Sequence, residues 1–397
     1  IYDYVSKPEP EFGWELKREL DTPNGHLYEI ALRSQKWQDI TWNHLLFVHE
    51  PKKVTCQDHM LLFVTGGRNG RAPSMAEHAM GFTLAEQTGA RVAVLYQVPN
   101  QPLFDGRYED DLITETWLRY LESGDESWPL LFPMVKSAVK AMDALEAMAN
   151  EHWQTAVKGF VITGASKRGW TSWLTPVVDK RVVATVPMVI DVLNFRPQMK
   201  HQLEVWGAYS DQIHDYSSKG LIKEGDESPR ETRLREMMDP YTYRSQLKLP
   251  KLLVNGTNDP YWVVDAMKIY WPDLEGPKFV LQVPNAGHGL NGGRSRVLTT
   301  TAAFFRFVVQ GRELPKIDWK ATEDRTGYRL QVTAAPQPRQ VKLWHALSST
   351  GDFRGSHWSS VAMASGEDGF VGHVSKPSNG DHVAYFGEME FGAEGRP

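Results

Sequence analysis

The 397-residue chain has a single cysteine, Cys56. No intrachain disulfide can form, and no cluster of cysteine ligands can hold a metal. No run approaches the about 18–20 apolar residues that a membrane-crossing helix needs. A basic excess is missing too: Lys and Arg number 44 against 49 Asp and Glu, a formal charge of -5. That balance argues against nucleic acid or an anionic membrane surface as a partner. The chain contains no G-x-x-x-x-G-K-[ST], no G-x-G-x-x-G after a strand and no H-E-x-x-H, which removes the common nucleotide and metal readings. Internal repeats and low-complexity tracts are also absent. What remains is an ordinary globular composition, 41% hydrophobic and 23% charged, at a length that predicts two domains.

The rhythm of the chain changes twice. Residues 1 to about 60 read as β-rich, with strands over 13–20, 26–37 and 40–49 and an Asn24-Gly25 turn between the first two. From about residue 60, apolar runs at 61–65, 91–98, 160–163, 182–190, 252–256 and 279–283 alternate with helical segments, as in a parallel sheet buried on both faces. The clearest helices are expected over 133–149 and 294–310, with Gly311 ending the second. Two insertions interrupt the alternation, at about 101–131 and 192–249, and are expected to shape a pocket. After Gly311 short alternating runs such as 328–332, 341–344 and 382–386 predict a small β-sandwich. The predicted division is therefore a catalytic domain over 1–312 and a C-terminal sandwich over 313–397.

The candidate chemistry sits at strand ends. Val161 to Trp170 reads VITGASKRGW, an apolar strand running into a glycine-flanked serine and then a helix. Such a corner exposes a hydroxyl nucleophile on a strained turn. The strand at 252–256 runs into Asn258-Asp259-Pro260, and the strand at 279–283 runs into Gly287-His288-Gly289. A Ser, an Asp and a His thus follow three strands in the chain order of the α/β-hydrolase triad. Taken singly, Asp259 reads better as a turn former and His288 as a loop histidine; taken together, in order and at strand ends, they favour the triad, with Asp191 and Asp265 as fallback acids. Ser166 is expected to attack a carbonyl, His288 to carry the proton and Asp259 to orient the imidazole. The backbone N–H groups of Lys167 and of Gly67, in the Gly66-Gly67-Arg68-Asn69-Gly70 loop, are the expected oxyanion donors. Arg168 takes the place where the nucleophile motif usually has its second glycine, which comes one residue later at Gly169. Lys167 or Arg168 either faces a substrate carboxylate or pairs with a nearby acid; Arg168 and Trp262 are the candidate substrate contacts.

Several longer motifs agree in order with one family. They are Tyr4-Val5-Ser6-Lys7-Pro8-Glu9-Pro10, Ser34-Gln35-Lys36-Trp37, Trp42-Asn43-His44, Thr163 to Thr171, Asp239-Pro240-Tyr241, Leu253 to Asp259 with Tyr261-Trp262, and Val283 to Leu290. Over 1 to about 310 the sequence resembles the PhoPQ-activated pathogenicity-related proteins. The resemblance implies an α/β-hydrolase fold in an exported bacterial protein and leaves the substrate open. The start at Ile1, without methionine, points the same way on export. The G-x-S-x-x-G spacing is also similar to that of glucuronoyl esterases, a hint of carbohydrate-linked or acidic esters.

The expected protein is a serine hydrolase acting on carboxylic esters, without cofactor or metal, with cap insertions on an α/β-hydrolase core, as a monomer or weak oligomer. Two rivals stand beside it. A peptidase of the prolyl-peptidase branch would need a pair of glutamates for a free amine, with Glu109, Glu115 and Glu122 available. A secreted binding or signalling protein would keep the fold with its chemistry idle.

Overall fold

The computed structural model describes residues 1–392; the last five residues of the expected sandwich, 393–397, lie outside it. Nine strands form the main sheet: β1 (Gly13–Thr22), β2 (Gly25–Trp37), β3 (Ile40–Pro51), β4 (Cys56–Val64), β5 (Ala90–Leu95), β6 (Gly159–Ala165), β7 (Val182–Met188), β8 (Lys251–Gly256) and β9 (Lys278–Val283), in the order β1-β2-β3-β5-β4-β6-β7-β8-β9. The first three are antiparallel and β5 pairs antiparallel with β3; from β5 to β9 every pairing is parallel. The antiparallel start and the buried parallel run match the two rhythms in the sequence, because strands covered on both faces carry no polar alternation.

The helices are α1 (Tyr2–Ser6), α2 (Met75–Thr88), α3 (Glu109–Ser123), α4 (Leu131–His152), α5 (Lys167–Val178), α6 (Phe195–Trp206), α7 (His214–Ser218), α8 (Pro229–Met238) and α9 (Arg294–Val309). Helices α2 and α9 cover one face of the sheet, and α4 and α5 the other. Pro133 lies in the first turn of α4, where its missing amide breaks no bond. The short α1 has no counterpart in the β-rich start read from sequence. Strand β7 stops at Met188, two residues before the predicted end, because Val189 turns to φ 46°. Strand β5 stops at Leu95 for a similar reason, with Gln97 at φ 59°.

Successive crossovers run outward in opposite directions from β4 and β6: β4 leads to β5 on one side, and β6 to β7, β8 and β9 on the other. Ligands of open α/β sheets bind beyond the carboxyl ends of the strands at such a reversal. The first insertion contributes α3, and the second contributes α6, α7 and α8, all packed above that point.

Beyond α9 come β10 (Lys316–Glu323), β11 (Gly327–Ala335), β12 (Gln340–Ser348), β13 (Ser359–Ala362), β14 (Ala364–Gly366), β15 (Gly369–Ser375) and β16 (His382–Glu390). They form two antiparallel sheets, β10-β11-β15-β14 and β13-β12-β16, closed over Leu330, Val332, Leu343 and Met363. A separate apolar cluster of Phe353 and Trp358, with Val264 against it, joins this region to the main body.

Candidate active site

Ser166 is the single residue between β6 and α5, held at φ 56°, ψ -124°, a conformation that costs an L-residue about 1–3 kcal/mol. Its N–H donates to the Met188 carbonyl and its carbonyl accepts from Trp170 N–H, both at 2.9 Å. The strain is therefore held by β7 on one side and α5 on the other. A Cβ on Gly164 would sit 2.6 Å from the Arg168 carbonyl oxygen, and one on Gly169 would sit 2.8 Å from Ile190 and the Met188 carbonyl. The close approach at the helix side falls on Gly169, which accounts for the displaced second glycine: position 168 has room for a side chain and position 169 does not.

Asp259 and His288 lie in the loops after β8 and β9. The Asp259 carboxylate is 4% exposed and accepts from Tyr261 N–H at 2.9 Å. His288 Nδ1 lies 2.9 and 3.1 Å from its two oxygens. A carboxylate oxygen accepts, so Nδ1 is the donor of this pair, and the neutral imidazole then has its lone pair on Nε2. That Nε2 is shielded from solvent and has no hydrogen-bond partner among the described residues. Tyr261 stacks on the imidazole, ring centroids 4.1 Å apart at 29°. Burial, with the charges of Asp110 and Asp259, pushes the Tyr261 phenol up to about 12, so it stays neutral beside the histidine. Ser166 and His288 line one cavity of about 30 Å³, together with Asp110, Lys167, Tyr216 and Trp262. They share it without a direct hydrogen bond, a spacing common before substrate arrives.

The two cations after the serine are both paired. Lys167 Nζ donates to Asp110 Oδ2 at 2.7 Å, inside the cavity. The Arg168 guanidinium forks onto Glu109 with two bonds of 2.7 Å and donates from Nε to the Val98 carbonyl at 2.6 Å. It packs against Gly66 and does not line the cavity. Burial alone would raise the Glu109 carboxyl; the Arg168 hydrogen bonds and the charges of Arg168 and Lys167 override it and hold the group at about 2. Lys167 is the first residue of α5, where the N–H has no intrahelical acceptor. Gly67, at φ 119°, lies in the loop directly after β4. Asp110 and Tyr216, whose hydroxyl donates to Asp110 Oδ1 at 3.0 Å, were not singled out from sequence. The only signal for Asp110 is its neighbour Glu109 in an acidic run; nothing in the spacing links them to cations 57 and 59 residues on.

The fallback acids are occupied elsewhere. Asp265 bonds His201 at 2.6 Å and Lys268 at 2.6 Å. Asp191, fully enclosed, accepts from the Tyr270 hydroxyl; burial, with the charges of Asp259 and Asp265, pushes its carboxyl up to about 7. A raised folded-state value means that ionising Asp191 costs the native state. The penalty is small at pH 4, near the ordinary carboxyl value, and accrues as pH climbs to about 7. Asp191→Asn keeps an oxygen for Tyr270 and removes that charge. It should raise the melting temperature by about 2 °C or more at pH 8 and much less at pH 4, leaving activity near the natural level. Thermal melts at the two pH values check this, and an equal change at both would refute it.

The loops carrying the acid and the base are tied to the C-terminal sheets. Asn258 Nδ2, one residue before the acid, donates to the carbonyls of Phe353, Arg354 and Ser356 at 3.3, 3.1 and 2.7 Å. Asn285, three residues before the base, makes a reciprocal pair with the Trp358 backbone at 2.9 and 2.7 Å. A cluster of Cys56, Asp58 and His59 has potential metal-ligand atoms within 4.8 Å of one another. It lies at the amino end of β4, away from this site, and Lys158 occupies Asp58 at 2.7 Å. Among the described residues no helix is long and apolar enough to cross a membrane.

The sheet order, the strained serine and the acid and base loops at the strand ends define an α/β-hydrolase fold. Two solved structures share it: acetyl xylan esterase 1 from a Thermoanaerobacterium species (TM-score 0.54, 11% identity, 76% of this chain and 90% of that one) and an acetyl xylan esterase from a Paenibacillus species (TM-score 0.50, 12% identity, again 76% and 90%). Within that fold the chain belongs to the PhoPQ-activated pathogenicity-related protein family, whose sequence profile matches residues 1–354. The match runs past the residue at about 310 where the resemblance was read to end. A curated relative is autocrine proliferation repressor protein A of Dictyostelium discoideum, 31% identical over 375 residues, covering 89% of this chain and 75% of that protein.

Proposed function

We propose that the protein is a serine hydrolase of carboxylic esters with Ser166, His288 and Asp259 as its catalytic triad. The observation that carries the reading is that a strained Ser166 and a His288 held at Nδ1 by Asp259, with its Nε2 unpartnered among the described residues, line the same cavity. Ser166 Oγ attacks the ester carbonyl carbon while its proton passes to His288 Nε2. The oxyanion is met by the N–H groups of Lys167 and Gly67, each such donor worth about 10²–10³ in rate. Collapse breaks the bond to the alcohol oxygen, which leaves with the proton from His288. Water then adds to the acyl-enzyme, gives a proton to His288 and displaces Ser166, which regains that proton as the acid departs.

Recognition of a peptide amino terminus has less support. Glu109 is spent on Arg168, Glu115 bonds Arg119 at 2.8 Å, and Glu122 is exposed at the far end of α3. Among the described residues no glutamate lines the cavity that holds Ser166 and His288.

Labelling with a fluorophosphonate tests the reading. The natural chain should be labelled, and Ser166→Ala and His288→Ala should not. An unlabelled, folded natural chain would sink the proposal.

A further inference from the structure

The cavity that Ser166 and His288 share, about 30 Å³, has room for one body the size of a water molecule and for no ester. Beyond one of its walls lies a second cavity of about 820 Å³, in the range of about 300–1,000 Å³ that small-molecule sites occupy. Trp170, Val192, Phe195, Met199 and Ile222 line both, so they form the partition. One half of the partition is fixed. The Trp170 indole N–H donates to the Met238 carbonyl at 2.6 Å, its ring meets Trp117 edge-on at 6.0 Å, and Val192 is 2% exposed. The other half can yield: Met199 is unbranched and adaptable, and Ile222 sits on the irregular segment between α7 and α8.

The wall of the large cavity is apolar where Trp117, Leu203, Leu234 and Met238 face it. Its cations lie against carboxylates: Arg235 meets Glu227 at 2.5 Å with Arg196 3.9 Å from the same group, Lys223 meets Glu231 at 2.6 Å and Lys200 meets Glu204 at 3.6 Å. In the small cavity Lys167 is already held by Asp110. A substrate carboxylate would find these cations taken, and would lie beside Glu224 as well.

We propose, on the hydrolase reading above, that the 820 Å³ cavity binds the large apolar half of an uncharged ester. The carbonyl reaches Ser166 when that group displaces Met199 and Ile222 from the partition. Acetate esters of small alcohols would leave the cavity unfilled. Each methylene buried there contributes about fourfold to the specificity constant.

Inactivation by p-nitrophenyl phosphonates measures this without knowledge of the natural substrate. Ser166 Oγ forms a bond to phosphorus, p-nitrophenolate leaves, and the serine proton passes to His288. One series carries a methyl or an octyl chain on phosphorus, in place of the acyl group; the other carries it on the remaining ester oxygen, in place of the alcohol. In one of the two series the octyl reagent should react at least roughly 30-fold faster than the methyl reagent, given the methylene increment. Leu203→Trp, which puts a bulkier ring into the cavity, should cut that advantage by at least roughly fourfold, the increment of one methylene that loses its burial. Ile222→Ala, which opens the partition, should instead raise the octyl rate, and it serves if Leu203→Trp does not fold. Equal methyl and octyl rates in both series would overturn the cavity assignment and leave the hydrolase reading intact. Failure of every reagent to modify Ser166 would overturn both.

Discussion

Ser166→Ala and His288→Ala should each lower kcat on an activated aryl ester such as p-nitrophenyl butyrate by about 10⁴–10⁶, and the double variant should lose no more than the worse single one. In the proposed mechanism the three groups act as one device. Without the Ser166 oxygen, His288 has no proton to take, and without Nε2 the hydroxyl is a poor nucleophile at neutral pH. Asp259→Asn should cost about 10⁴, because an amide at this position no longer fixes the proton on Nδ1. In that mechanism the residual rate over water measures what the proposed Lys167 and Gly67 amides and substrate binding contribute together. Steady-state kinetics on the four variants, with folding checked by circular dichroism, decides the matter. Losses that multiply in the double variant would mean that Ser166 and His288 act independently and that the triad assignment is wrong.

The places of Ser166, Asp259 and His288 at strand ends were legible because each is a local matter. A serine between Gly164 and Gly169 after an apolar run, an Asp two residues after Thr257 and a His between two glycines all declare a loop at a strand end. Chain order then supplies the arrangement. The main strands were legible for a related reason, since strands buried on both faces cannot alternate. The partners of Lys167 and Arg168 were not legible. Glu109 and Asp110 reach them through the first insertion, whose path depends on packing against α7 and α8 and leaves no periodic trace. That the two insertions shape a pocket was legible, but its partition by Met199 and Ile222 was not, since that exists only once α6 and α8 are set against α3. Nor did the sequence link the C-terminal sheets to the catalytic loops, because Asn258 and Asn285 look like ordinary turn residues.

That link has a consequence for rate. Asn258→Ala should lower kcat by about 10²-fold, with KM changed less than threefold, because a shift of roughly 1 Å in a catalytic group costs that much. The amide of Asn258 holds three carbonyls of the loop over 353–356, and its neighbour Asp259 fixes the His288 imidazole. Losing the amide frees the acid loop to move by the width of the missing contacts while the substrate pocket stays as it was. Asn258→Asp should be worse than Asn258→Ala: a carboxylate cannot donate to those carbonyls, and its charge would stand beside that of Asp259. Trp358→Ala tests the same connection from the other side. Trp358 is 2% exposed and packs with Phe353, and truncating a buried tryptophan costs about 3–5 kcal/mol. Its loss should lower both stability and kcat, whereas Asn258→Ala should lower kcat with a melting temperature near the natural one. Melting curves and kcat measured on both variants separate the two effects. A natural kcat in Asn258→Ala would mean that the main sheet alone positions Asp259 and His288, and that the C-terminal sheets serve packing only.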